Sequence, residues 1–193
     1  MSKRATPHYL TLTGGQLRVW QCGQGADLIV IGGLTRAAET LSKELAVANP
    51  KWRVTALELP GIGGSRIDPG KTVEDVAGTL VEAIRLAGFK HFVLVAHEMA
   101  AGLLPAIRQQ LGSQVSAITV GLERACAWTR TVAADLDIAP RQDGSHLNVA
   151  WHHLRDLELL QPDDRTQPAK SGELISSPDA LSATFVAAAT MPD

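Results

Sequence analysis

The spacing of apolar and polar positions changes along the chain, and the changes mark its elements. His8 to Thr13 alternates weakly and Gln16 to Cys22 alternates clearly, with Leu17, Val19 and Gln21 on one face. Gly14–Gly15 lies between them, so the pair predicts a β-hairpin. Leu28-Ile-Val-Ile31 is a continuous apolar run ending at Gly32–Gly33. A strand without alternation is buried on both faces, which implies a sheet covered by helices. Ala37 to Ala48 then shows helical spacing through Leu41, Leu45 and Ala48, and Asn49–Pro50 stops it.

Trp52 to Leu59 predicts the next strand, closed by the turn sequence Pro60-Gly61-Ile62-Gly63-Gly64. Thr72 with Asp75 three residues on resembles a capping box. Behind it Val73, Val76, Ala77, Leu80, Ile84 and Leu86 form a helical stripe that ends at Gly88. His91 to Ala96 predicts a strand, Glu98 to Leu111 a small-residue helix kinked at Pro105, and Val115 to Leu122 a further apolar strand. Strands alternating with helices imply parallel crossovers within an α/β architecture. Beyond it, His146 to Leu160 has an amphipathic helical pattern, Gln161 to Pro178 reads as a loop, and Asp179 to Thr190 as a short Ala-rich helix. The 193 residues are read as one domain, with a core over about 8–124 and a lid-like and tail segment over about 125–193.

Composition narrows the function. Apolar residues are 45%, charged residues 20%, and the formal net charge is −2, so no global field draws nucleic acid or an anionic membrane. No apolar run approaches the length of a membrane span, and the amino terminus lacks the apolar segment of a signal peptide. A cytoplasmic location is expected. Cys22 and Cys126 permit one disulfide, and their spacing is not that of a zinc or redox motif.

The order of these signals resembles the α/β-hydrolase family over about Leu10 to Asp164. Glu58-Leu-Pro-Gly-Ile-Gly-Gly-Ser65 is similar to the family's D-x-P-G-x-G-x-S turn. Leu94-Val-Ala-His-Glu-Met-Ala-Ala-Gly102 resembles the nucleophile elbow, a sharp strand-to-helix turn that lifts a nucleophile above the sheet. The helix His146 to Leu160, with Trp151, resembles the start of the family's lid. The resemblance implies a mostly parallel sheet of about six strands with an amino-terminal antiparallel hairpin, a partial helical lid, and late strands missing.

Departures from the family pattern decide the functional expectation. The elbow's flanking glycines are Ala96 and Ala100, and the nucleophile position carries Glu98. A carboxylate can attack carbon, but glutamate is one methylene longer than aspartate. The acid and histidine of the family follow the lid, and this chain stops before them. Glu98 is therefore the candidate catalytic group, and Gly32, Gly33, Leu34, His97 and Met99 are the candidate ligand or oxyanion pocket. The expectation is a hydrolase-like protein that binds a ligand or serves as a subunit, with a hydrolase or lyase using Glu98 as the alternative. His152 and His153 diverge by about 100° on a helix, so no metal site is expected, and no cofactor is. Glu123 stands where some relatives place the triad acid, although pairing with Arg124 or Arg130 explains it as well. The strand at 115–122 carries neither proline nor charge, so the expected partner is a second copy or another subunit covering that edge.

Overall fold

The computed structural model describes residues 4–32, 37–68, 70, 72–112, 115–120, 142, 143 and 145; residues 98, 99 and 116–120 are described by backbone. Among the described residues seven strands form one sheet: β1 (Thr6–Leu12), β2 (Gly15–Gly23), β3 (Ala26–Ile31), β4 (Trp52–Leu57), β5 (Arg66–Ile67), β6 (Phe92–His97) and β7 (Ser116–Val120). Their order is β1-β2-β4-β3-β6-β7, with β5 also on β2. β3 pairs in parallel with β4 and β6, and β6 with β7. β2 pairs antiparallel with β1, β4 and β5. The helices among the described residues are α1 (Ala38–Ala48), α2 (Val73–Leu86) and α3 (Leu104–Leu111), and a 3-10 helix, Glu98–Leu103, leads into α3.

The unbroken apolar run of β3 is explained by cover on both faces. Ile29 and Ile31 face a core shared with Leu80, Ile84, Leu104 and Ile107 of α2 and α3. Leu28 and Val30 face a second core shared with Ala38, Leu41 and Ala46 of α1. A strand in that position can carry no polar side chain without burying it.

The helices form where expected, with two corrections to their buried faces. On α1 the buried stripe is Ala38, Leu41, Ser42 and Ala46, while Ala48 is exposed. Ala48 shares a face with Leu41, seven residues before it, but it is the last residue of α1 and stands beyond the buried part of the stripe. Ser42 is tolerated inside because its hydroxyl donates to the Glu39 carbonyl at 2.8 Å. On α2 the stripe runs through Val76, Ala77, Leu80, Val81, Ala83 and Ile84, whereas Leu86 is 56% exposed. The Thr72–Asp75 capping box is present in both directions, at 3.1 and 3.0 Å.

The helix expected over Glu98 to Leu111 is in two parts, and proline explains the break. In a continuous α-helix residue 105 would donate its N–H to the Ala101 carbonyl. Pro105 has no N–H, and its ring crowds that carbonyl. The Leu104 N–H donates to Ala101 instead, in the tighter i→i+3 pattern. The two-residue strand β5 was not expected, being too short to leave a periodic signal. The segments 125–143, 146–160 and 179–190 lie outside the described residues, apart from Gln142 and Asp143.

Candidate functional site

Among the described residues, two turns stand at the carboxyl ends of parallel strands, where open α/β sheets bind ligands. One follows β6. Ile31 of β3 is in register with Ala96 of β6, so Gly32 sits level with His97. His97 is in register with Val120 of β7 and has an extended backbone, φ −96° and ψ 125°, as the cap of the 3-10 helix. Residue 98 is therefore the first of a helix that rises directly from the strand, as an elbow requires. The flanking Ala96 and Ala100 are both fully buried, in the core under α2 and α3. Their methyls are packed into the protein, and the turn forms without the glycines.

Of the expected pocket residues, Gly32 and His97 follow the paired Ile31 and Ala96, and Glu98 and Met99, described by backbone, open the 3-10 helix after His97. Gly33 and Leu34 lie outside the described residues, as do Glu123, Cys126, His152 and His153. His97 belongs to the alternation Val93, Val95, His97, the face that α1 covers. It is half-buried and its Nδ1 is inaccessible to solvent.

The other turn joins β4 to β5, and its motif has a structural explanation. β4 and β5 both pair with β2, at Val19–Gly23 and Gly15–Gln16, and leave Arg18 in the gap. The loop fills that gap. The Glu58 N–H donates to the Arg18 carbonyl at 3.2 Å, and the Arg18 N–H donates to Ser65 Oγ at 3.0 Å. The Glu58 carboxylate, only 5% exposed, accepts from Arg18 Nε and Nη2, each at 2.7 Å, and from Trp20 Nε1 at 2.9 Å. Its second oxygen accepts from the Gly64 N–H at 2.8 Å. Burial pulls the Arg18 guanidinium down, but Glu58 and Tyr9 outweigh it and the net direction is up. A Cβ on Gly63, whose φ is +61°, would lie 2.6 Å from Glu58 Oε2, and one on Gly64 would lie 2.6 Å from Arg18 Cζ. The glycines are there so that the backbone can lie on the ion pair.

Arg18 and Trp20 are the residues that sequence reasoning missed. They precede the turn by 40 and 38 positions, counted to Glu58. The available signal was an arginine and a tryptophan on the supposedly polar face of a hairpin strand.

Elsewhere, a shallow depression of 240 Å³ is lined by Ala48, Asn49, Pro50, Lys51 and Trp52. It lies at the amino end of β4, the opposite end of the sheet from the elbow. Among the described residues no three His, Cys, Asp or Glu side chains are grouped to hold a metal. No helix among them is long and apolar enough to cross a membrane.

Solved structures define the class: this chain has the α/β-hydrolase fold. It is similar to a Pseudomonas aeruginosa protein assigned as an epoxide hydrolase (17% identity, TM-score 0.67, 96% of this chain and 71% of that one). It is likewise similar to a protein assigned as an alpha/beta hydrolase from Nostoc sp PCC 7120 (16%, 0.70, 96% and 72%). A Salmonella enterica protein assigned as an acyltransferase is a third (15%, 0.66, 96% and 70%). The chain is thus shorter than each of these relatives in fold. No protein-family model matches the chain, and no curated protein sequence does.

Proposed function

We propose that this α/β-hydrolase-fold chain binds a small ligand at the carboxyl ends of β3 and β6 and does not work as a serine hydrolase. The observation that carries this reading is the residue at the elbow: the strand-to-helix turn offers Glu98 where serine chemistry needs a hydroxyl. A carboxylate at a helix amino terminus is stabilised by the local dipole, which favours a stable anion over a reactive group. Such an anion attracts a ligand that presents a cation or hydrogen-bond donors, while the backbone amides near Gly32 and Met99 accommodate its polar oxygen. Association through the outer edge of β7 is part of the same proposal. Sedimentation showing a compact monomer at all concentrations would remove that part alone.

The second reading is hydrolysis with Glu98 as nucleophile, favoured by structural relatives assigned as epoxide hydrolases. The carboxylate would attack an epoxide carbon and open the ring. That step leaves an ester on Glu98 and an alkoxide that must take a proton, and water then cleaves the ester. The two readings separate in one experiment. The intact protein is incubated with excess styrene oxide or p-nitrophenyl acetate, then weighed by mass spectrometry while product is followed. Unchanged mass and no turnover are expected. An adduct on the peptide containing Glu98, with turnover lost in Glu98→Gln, would establish the hydrolase instead.

A further inference from the structure

We propose that Pro105 is a positioning residue for the elbow: it holds the Glu98–Leu103 segment in 3-10 form and so sets where residue 98 stands. The inference rests on the reading of Glu98 as the functional group of the site. Six residues is a long run for a 3-10 helix, which rarely exceeds 3–4 residues because its hydrogen bonds are poorly aligned. Something must oppose conversion to the α form. Pro105 does so from the first turn of α3, because it removes the bond Ala101 would accept and crowds that carbonyl. Gly102 inside the segment adds little, since glycine has the weakest α-helical preference after proline.

The geometric consequence falls on residue 98. A 3-10 helix rises about 2.0 Å per residue with three residues per turn, an α-helix about 1.5 Å with 3.6. Over six residues the two forms differ by about 3 Å in length and about 120° in rotation, and the stretch between the paired His97 and α3 must absorb that difference, which alters the backbone at residue 98. A displacement near 1 Å is enough to cost about 100-fold where a group must meet its target. Leu103, Leu104 and Ile107 fix α3 against the core and His97 is paired in the sheet, so the change would be taken up between them, by residues 98–102, with Ala100 and Ala101 repacked. Pro105 itself is exposed, so its replacement removes no core side chain and acts through the backbone.

The test is Pro105→Ala, with Gly102→Ala as a second variant that favours the α form from inside the segment. Two quantities are read on the full chain: the backbone of residues 98–104 in a crystal structure, and the rate at which carbodiimide and glycine ethyl ester modify Glu98, by peptide mass spectrometry. The expected result is i→i+4 bonding through residue 104, an altered backbone at Glu98, and a labelling rate changed at least about threefold. Retention of the 3-10 segment in both variants overturns the proposal. So does conversion with an unchanged labelling rate, which would make Pro105 a structural residue only. Neither readout needs a ligand or turnover, so a failure here is distinct from a failure of the binding reading.

Discussion

The two turns at the carboxyl end of the sheet solve one problem in opposite ways. The loop after β4 keeps its glycines because charge lies against the backbone: a Cβ at Gly63 or Gly64 would enter the Glu58–Arg18 pair. The elbow after β6 has alanines, and both methyls sit in the apolar core. A glycine is thus required by what approaches it and not by the sharpness of a turn. The β4 loop is over-determined, with four donors on one carboxylate. The elbow is held by apolar packing and by the helix that follows.

The comparison predicts effects of decreasing size. Glu58→Ala should cost the most, about 3–5 kcal/mol, because it leaves a largely buried guanidinium and two N–H donors without their acceptor. Urea denaturation measures this, and a loss under about 1 kcal/mol would mean that the ion pair does not hold the loop. Gly63→Ala should cost about 2 kcal/mol, from a left-handed residue combined with a clash. Its counterpart Ala100→Gly should cost only about 1 kcal/mol, from backbone entropy and a lost methyl. If the two substitutions prove equal, the contrast between the turns is wrong. The smallest effect concerns pH. The folded Arg18 is raised above its ordinary value, so the stability it contributes is complete below the ordinary arginine range. It is lost only as pH rises through the higher folded value. Arg18 should therefore add no slope to the melting temperature between pH 7 and 10, a point that Arg18→Met against the parent will test.

Periodicity made the helices and central strands legible, because Val76, Leu80 and Ile84 or Leu28 to Ile31 report burial directly. The Pro-Gly turn and the elbow were legible as patterns, and so was the fold they imply. What supports the turn was not, since Arg18 reaches Glu58 only after the sheet has formed. Ala48 and Leu86 were misread because each closes its helix, where the spacing still fits the stripe but the core no longer lies against it. The candidate site was legible only as a position: residue 98 opens the helix after β6, and nothing in the local spacing names a ligand for it.

The placement of β3 bears on how the chain is made. Its two neighbours are β4 and β6, and Phe92 begins β6 only 61 positions after Ile31 ends β3. Synthesis delivers the amino-terminal strands first. Until residues 92–97 have emerged from the ribosome, the edge running along Asp27 to Ile31 has no partner of its own. A half-made chain thus carries an open apolar edge of the kind that recruits foreign strands. The strand that anchors the finished sheet is the one the nascent chain most needs to have shielded.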